Sequence, residues 1–324
     1  MQGTEVRNQI LKQLNLTPTQ DQFRFIKSFS DFIAGELNVQ VFILRGYAGT
    51  GKTTMVNTLV KALPHLKLFS VLLAPTGRAA KVLTLYTSKR ASTIHRKIYQ
   101  TVDRGGGTVG FRLAKNTAKN TVFFVDEASM INGKSQHQGE GFGQMHLLSD
   151  LIDYVRDGEN CQLVFIGDIA QLPPINEKVS PALSKSLLRG QFGMDSEMIE
   201  IREVLRQAKD SGILFNATKL RNQLFDNQFT PQFDLDDFSD IQSISGGELS
   251  DFLEDSYGRS GIEQTLLLCR SNKSANKFNQ EIRHRILFRE ERIEGGDMLM
   301  VVKNNYFWIE ATSKPKKLRV PLAK

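Results

Sequence analysis

The sequence predicts an α/β fold in which helices cover both faces of a parallel sheet. Short apolar runs rich in β-branched and aromatic residues alternate with stretches of helical period. A strand that is apolar at nearly every position is buried on both faces, which is typical of parallel sheets. The predicted strands are 39–44, 69–74, 121–125, 162–166 and 264–269, and the predicted helices include 53–63, 147–155 and 272–287.

The composition indicates a globular protein with room for two domains. The chain has 324 residues, of which 40% are hydrophobic and 24% charged. No apolar run approaches the ~18 residues that a membrane-spanning helix needs, and the polar N-terminus does not resemble a secretory signal. Cys161 and Cys269 are too few for a disulfide framework. We therefore expect buried, reduced thiols in a cytoplasmic protein.

The net charge of +7 is unevenly distributed along the chain. Residues 77–120 include ten basic side chains and one acid, and residues 311–324 include five basic side chains and no acid. Residues 222–258, in contrast, include nine acids and no Lys or Arg. A local basic excess indicates either a polyanion-binding surface or a solvated face. We interpret the acidic segment as a connector whose phenylalanines pack on a neighbouring element.

A phosphate-binding motif lies between a predicted strand and a predicted helix. Residues 46–53 (GYAGTGKT) fit G-x-x-x-x-G-K-[ST] at every position. Glycines allow backbone N–H groups to point at phosphate oxygens next to a helix N-terminus. Lys52 is expected to reach the β- and γ-phosphates, and the Thr53 hydroxyl to bind Mg²⁺. The predicted nucleotide-binding residues here are Gly46, Ala48, Gly49, Thr50, Gly51, Lys52, Thr53 and Thr54.

Acidic and amide side chains follow two further predicted strands. Asp126 and Glu127 come directly after the apolar strand 121–125. Asp126 is expected to hold Mg²⁺, and Glu127 to orient and deprotonate an attacking water. Gly167-Asp168 follows the strand 162–166 and leads to Gln171, whose amide is expected to sense the γ-phosphate. These residues predict nucleotide hydrolysis.

Six motifs, in this order, resemble those of RecD-like DNA helicases, the 5′-to-3′ branch of helicase superfamily 1. The resemblance runs from about residue 14 to 310 and implies a P-loop NTPase (RecA-like) fold. The motifs are GYAGTGKTT (46–54), APTGRAAKVL (74–83), STIHRKIY (92–99), VDEASMI (125–131), GDIAQLPPI (167–175) and VLRQAKDSGIL (204–214).

The resemblance also implies roles for individual residues. Gln20 would recognise adenine, which makes ATP the expected nucleotide; the alternative is an ordinary polar residue at a helix start. Arg206 would act as an arginine finger toward the γ-phosphate, or else form a structural salt bridge. Single-stranded DNA would be contacted by Thr76, Gly77, Arg78, Thr93 and His95. For His95, a hydrogen-bonded packing histidine is the alternative.

The domain organisation that the resemblance implies is a two-domain motor. We expect a first RecA-like domain over 1–205 with a small pin-like hairpin insertion at 97–121. A helical and acidic connector would span 206–262, and a second RecA-like domain would begin at 263. Two terminal motifs of the family, one of which supplies a second arginine finger, have no match in this sequence. We therefore expect that second domain, 263–324, to be incomplete.

Two functions are consistent with this pattern. The first is an ATP-dependent helicase or translocase, monomeric, that moves 5′ to 3′ on single-stranded DNA with ATP and Mg²⁺ as cofactors. The second is an ATP-gated module that binds single-stranded DNA without unwinding, which the missing motifs favour. A P-loop kinase or GTPase is disfavoured, because no guanine-reading N-K-x-D segment is suitably placed.

Overall fold

The computed structural model describes residues 1–103, 109–133, 136–137, 144–203, 211–226, 228 and 230–299. The chain forms two compact units, Met1–Gln207 and Ala208–Lys324. No helix among the described residues is both long and apolar enough to cross a membrane. Arg206 and the tail 311–324 lie outside the described residues.

The first unit is built on a six-stranded parallel sheet. Its strands and those of two small hairpins are β1 (Val41–Gly46), β2 (Phe69–Ala74), β3 (Ala91–Thr93), β4 (Tyr99–Asp103), β5 (Val109–Leu113), β6 (Thr121–Val125), β7 (Gln136–His137), β8 (Gln144–Met145), β9 (Gln162–Gly167) and β10 (Ser196–Ile201). The order across the large sheet is β10-β1-β9-β6-β2-β3. All six carboxyl ends therefore lie along one edge.

Helices cover both faces of this sheet. They are α1 (Gly3–Gln13), α2 (Gln20–Ala34), α3 (Lys52–Ala62), α4 (Gly77–Thr87), α5 (Ile94–Ile98), α6 (Leu147–Arg156) and α7 (Lys185–Phe192), with short 3₁₀ turns at Leu63–Leu66, Ala128–Met130 and Pro181–Leu183. Several starts are set locally, because a Thr or Ser hydroxyl accepts a hydrogen bond from a free N–H of the first turn. Thr76 and Thr93 cap α4 and α5 in this way.

Two apolar clusters, one on each face, hold the sheet together. Phe124 belongs to the cluster that also includes Phe25, Phe29 and Phe42. Its neighbour Phe123 points to the other face and packs with residues such as Phe165. Successive side chains of a strand alternate between faces, so burial of both phenylalanines shows that neither face is open to solvent. The predicted α/β fold is confirmed.

The sequence pattern located four strands of the large sheet and missed two. Strands 39–44, 69–74, 121–125 and 162–166 correspond to β1, β2, β6 and β9. The missed strands are the two edges, β3 and β10. β3 has three residues, and β10 (SEMIEI) carries two glutamates and is only partly buried over its four central positions. Edge strands lack the continuous apolar signal on which the prediction depended.

A hairpin interrupts the sheet where the insertion was predicted. β4 and β5 pair antiparallel, with Tyr99 opposite Leu113 and Asp103 opposite Val109. The glycines 105–107 lie outside the described residues. A strand-separating role for this hairpin stays a prediction.

The second unit is helical over its described residues. It has α8 (Gly212–Phe225), α9 (Leu249–Ser260), α10 (Asn272–Glu281) and a π-helical turn at Ile282–Ile286. The acidic connector packs within this unit. Asp240 accepts hydrogen bonds from Ser211 Oγ (2.8 Å) and Gly212 N (2.7 Å), and the ring of Phe238 lies 5.2 Å from that of Phe215.

The predicted strand 264–269 is wrong. The segment forms no strand, and no strand is present among residues 211–226, 228 and 230–299 to pair with it. Leu266 and Leu268 are 79% and 84% exposed, and Thr265 instead donates a hydrogen bond to the Ser256 carbonyl of α9. An apolar run forms a strand only when a neighbour completes its hydrogen bonds. The start of a second RecA-like domain at 263 stays a prediction.

The cysteines also differ in part from expectation. Cys161 and Cys269 are free thiols, as predicted, but each is only partly buried.

Candidate active site and nucleic-acid interface

The loop between β1 and α3 is tightly folded around its glycines. Gly49 (φ 80°) and Gly51 (φ 84°) adopt left-handed conformations that favour glycine. A Cβ atom at Gly46 would lie 2.8 Å from Thr50 Oγ1. Thr50 is fully buried, and its hydroxyl donates a 2.8 Å hydrogen bond to the carbonyl of Tyr47. The loop therefore requires glycine where the motif has it.

Lys52 begins helix α3 and bends back into the loop. Its Nζ donates hydrogen bonds to the carbonyl oxygens of Gly46 (2.5 Å) and Tyr47 (2.8 Å). Thr53 follows, partly buried, while Ala48 and Thr54 are exposed. The ammonium group therefore lies inside the loop whose exposed backbone is the expected phosphate site.

Three carboxylates lie near enough to Lys52 to affect its pKa. Burial lowers the pKa of Lys52, and the charges of Asp168, Asp126 and Glu127 oppose that shift. Asp126 follows β6 and Asp168 follows β9, and these two strands are neighbours of one another in the sheet. The topology thus brings together acids that are 42 positions apart in the chain.

Asp126 and Glu127 have environments that disfavour their charged forms. Burial raises the pKa of Asp126, against the effects of a 2.9 Å hydrogen bond from the Glu127 N–H and of the Lys52 charge. Burial and then the charge of Asp126 raise the pKa of Glu127. Glu127 also has a left-handed backbone (φ 52°), which is uncommon outside glycine. A carboxylate with a raised pKa is suited to accept a proton from water.

Gln171 is tied to the turn that follows Asp126 and Glu127. The Ser129 hydroxyl donates a 3.3 Å hydrogen bond to Gln171 Oε1. The rest of Gln171 is exposed. Asp168 is only 4% exposed and accepts a 2.8 Å hydrogen bond from the Ala170 N–H. The Ser129–Gln171 hydrogen bond therefore links the turn after β9 to the turn after β6, and the sensing role of Gln171 stays a prediction.

The oxygen donors present fit a magnesium ion. Mg²⁺ prefers hard oxygen ligands and is often held by one or two carboxylates together with phosphate oxygens. Thr53 and Asp126 offer a hydroxyl and a carboxylate of that type, whereas the described residues include no group of three or more acidic, His or Cys side chains that could form a complete metal site. The protein residues thus match an ion that is shared with a nucleotide.

The N-terminal segment supports the loop through Gln22. The sequence did not predict a role for this residue at the site. Thr19 and Gln22 form a reciprocal capping box at the start of α2. Gln22 is fully buried, and its Nε2 donates a 3.2 Å hydrogen bond to the Thr50 carbonyl. Gln20 is exposed, and its adenine-reading role stays a prediction. The capping-box pattern T-x-x-Q was the signal available for Gln22.

Asp21 links the same helix to the end of β10. Its Oδ2 accepts hydrogen bonds from the N–H groups of Arg202 (2.8 Å) and Glu203 (3.1 Å). Burial alone would raise the pKa of Asp21, but these bonds and the ion pair with Arg24 lower it. The anchored backbone leads directly into 204–210, outside the described residues, where the predicted arginine finger Arg206 falls.

The first predicted DNA-contacting group lies at the start of α4. Thr76 Oγ1 accepts a 3.2 Å hydrogen bond from the Ala79 N–H. Gly77 and Arg78 are exposed, and a Cβ atom at Gly77 would meet nothing within 4 Å. Packing within the protein therefore does not require a glycine at 77.

The second predicted group lies at the neighbouring strand end. Thr93 Oγ1 accepts a 3.2 Å hydrogen bond from the Arg96 N–H. The His95 ring packs 5.8 Å from that of Tyr99, and burial lowers the pKa of His95. The Tyr99 hydroxyl donates a 2.5 Å hydrogen bond to Asp150 of α6. These contacts agree with the packing interpretation of His95, and its DNA contact stays a prediction.

A parallel sheet with a phosphate-binding loop after β1 and acids after β6 and β9 defines a P-loop nucleotide-binding fold. Residues 33–230 match the AAA domain family, and the chain belongs to that family.

Two named relatives, RecD2 and dda, agree with the resemblance to RecD-like helicases. The chain is 30% identical over 188 residues to the ATP-dependent RecD2 DNA helicase of Deinococcus radiodurans, covering 58% of this chain and 22% of that protein. It is 24% identical over 283 residues to the ATP-dependent DNA helicase dda of Enterobacteria phage T4, covering 84% and 58%. The crystal structure of Pif1 helicase from Candida albicans has a TM-score of 0.41 at 19% identity, covering 82% and 61%. The chain thus spans less than two thirds of each of these proteins.

Proposed function

We propose that this chain is the ATP-hydrolysing motor part of a DNA helicase, which couples hydrolysis to 5′-to-3′ movement on single-stranded DNA. The observation that carries the proposal is the grouping of Lys52 with Asp126, Glu127 and Asp168 at the carboxyl edge of the sheet. The predicted DNA-contacting residues lie at or just after the carboxyl ends of β2 and β3, on the same edge. One sheet edge would then present both sites.

The hydrolytic roles follow from the chemistry of each group. The loop N–H groups and Lys52 would bind the phosphates, and Thr53 and Asp126 would hold Mg²⁺, which supplies positive charge to the phosphate oxygens. Glu127 would accept the proton of the attacking water, and Gln171 would position that water or sense the γ-phosphate. Gln20 would read adenine and Arg206 would stabilise the transferred charge. Thr76, Gly77, Arg78, Thr93 and His95 would contact DNA.

One observation favours the second candidate, an ATP-gated module that binds single-stranded DNA without unwinding. The second unit has no strand among residues 211–226, 228 and 230–299. Movement requires two domains that close on ATP. If the second unit forms no sheet, the chain would bind ATP and single-stranded DNA but would not translocate.

Strand displacement on tailed duplexes separates the two candidates. The motor proposal predicts ATP-dependent unwinding of a duplex with a 5′ single-stranded tail and none of the same duplex with a 3′ tail. Glu127→Gln is the matched control, because it keeps the shape of the site and removes the base. Unwinding of the 3′-tailed duplex would contradict the assigned direction. Binding and hydrolysis without displacement of either would favour the module.

A further inference from the structure

A cleft of about 430 Å³, lined by several basic side chains, lies between α4 and the β3–α5 segment. One wall is the side of α4 that carries Gly77, Lys81 and Thr84, spaced by four and three residues. Residues at this spacing share one side of a helix. The opposite wall is formed by 90–93 and 96–97. The cleft therefore continues from Gly77 and Thr93 along α4 as far as Thr84.

Four cations line this cleft, and no acid does. They are Lys81, Arg90, Arg96 and Lys97. Within the described ranges, none of the four has a carboxylate within ion-pair distance, although ten ion pairs occur elsewhere in those ranges. Like charges gathered without counter-charges repel one another. An anion in the cleft would relieve that repulsion.

The remaining lining residues indicate which part of a polyanion fits. The cleft includes hydroxyl side chains and small residues but no aromatic side chain. Nucleic-acid bases are typically held by stacking on aromatic rings, whereas phosphates are held by Lys, Arg and hydroxyl groups. The Thr84 hydroxyl already makes hydrogen bonds to Ala80 O (2.8 Å) and from Ala91 N (2.9 Å). Phosphate binding in the cleft would therefore depend mainly on the four cations.

We propose that this cleft binds backbone phosphates of DNA through Lys81, Arg90, Arg96 and Lys97, beyond the residues that the motifs assign to DNA. The inference rests on the proposed function and adds a second contact region to it. Two sources would supply the phosphates: the same single strand continuing past Thr76 and Thr93, or the duplex arm of a fork. Neither source requires base recognition.

The test is equilibrium binding by fluorescence anisotropy over a salt series. The probes are dT8, dT20 and a forked duplex with a dT8 tail. The variant is Lys81→Ala/Arg90→Ala, and its matched control is Lys12→Ala/Lys61→Ala, which removes two exposed cations outside the cleft. Thermal melting of both variants checks that the fold is kept.

The expected result is a weaker dependence of DNA affinity on salt in the cleft variant. The slope of log K against log salt should become shallower by about 1.4 if two single-strand phosphate contacts are lost, or by about 1.8 if the contacts are to duplex. A loss of affinity for dT20 identifies the continuing single strand as the source of the phosphates. A loss of affinity for the forked duplex alone identifies the duplex arm. A loss of affinity for dT8 as well shows that the cleft binds the same short stretch of DNA as Thr76 and Thr93.

Two results would overturn the proposal in distinguishable ways. If the wild-type chain binds dT8 and the cleft variant matches its control on all three probes, the cleft is not a DNA site and the proposed function stands. If the wild-type chain binds none of the probes, the DNA-binding function itself fails and the cleft assignment falls with it.

Discussion

The side-chain amide of Gln22 donates a 3.2 Å hydrogen bond to the carbonyl of Thr50, which connects α2 to the phosphate-binding loop. Gln22 is fully buried, and Thr50 holds the loop closed through Tyr47. The geometry of the loop therefore depends on a helix that precedes β1 in the chain. Asp21 extends the connection to the backbone after β10. Helix α2 thus holds both the phosphate-binding loop and the backbone that follows β10.

Gln22→Ala is expected to weaken ATP binding. Loss of a buried hydrogen bond of about 1 kcal/mol corresponds to roughly a fivefold rise in Kd. The capping box is lost as well, so the thermal midpoint should also fall. Titration with a fluorescent ATP analogue measures the first effect. Gln20→Ala, which keeps the capping box, is the control for stability and should leave the thermal midpoint unchanged. It should change the ATP-to-GTP preference if Gln20 reads adenine. Unaltered ATP affinity in Gln22→Ala would contradict the bracing role.

Asp126→Asn is expected to stabilise the protein while abolishing ATP hydrolysis. The pKa of Asp126 is raised by burial, so the folded state binds the proton more tightly than the unfolded state. Stability therefore falls as pH rises from the unfolded value of 3.8 through the raised pKa. Asn remains neutral at every pH and keeps an oxygen for the Glu127 N–H. The thermal midpoint in EDTA should rise by roughly a few degrees at pH 7, and the gain should shrink toward pH 4.

The control for this substitution is Asp153→Asn, which neutralises an exposed acid of α6. It should give no comparable gain. A lower midpoint for Asp126→Asn at pH 7 would show that the carboxylate is net stabilising, contrary to the pKa argument.

Gly77→Ala is expected to separate DNA binding from folding. An added Cβ meets nothing within 4 Å, and alanine is the better helix former by up to about 1 kcal/mol. Stability should therefore stay the same or rise, while a DNA backbone approaching Gly77 would meet the new methyl group. Anisotropy with dT20 measures the loss. Gly190→Ala in α7, which is also unobstructed, is the control. Full DNA affinity in Gly77→Ala would remove Gly77 from the interface.

Gly212→Ala is expected to destabilise the second unit. A Cβ atom there would lie 2.5 Å from Phe238 Cβ and 2.6 Å from Ile241 Cγ2. Overpacking of this kind typically costs about 1–3 kcal/mol. Urea unfolding monitored by circular dichroism should show a lower midpoint than the wild type. Gly258→Ala in α9, with no atom within 4 Å of the new Cβ, should not.

The sequence predicted the parts of the site that are determined by local pattern. The loop 46–53, Asp126 and Glu127 were found because each belongs to a strand-and-turn context that a single stretch of sequence reveals. Gln22 and the proximity of Asp168 to Lys52 were not found as site features, because both depend on which elements the fold places side by side. The strand 264–269 was wrongly predicted for the same reason: its apolar run gave no information on whether a partner strand exists.

The measurement that tests the central claim most directly is steady-state ATP hydrolysis with and without dT20, in the wild type and in Lys52→Ala. The account predicts that dT20 stimulates hydrolysis by the wild type, that Lys52→Ala abolishes both the basal and the stimulated rate, and that Lys61→Ala, on the exposed side of the same helix, behaves as wild type. Hydrolysis by Lys52→Ala at the wild-type rate would contradict the assigned site. A wild-type rate that dT20 leaves unchanged would contradict the coupling to DNA.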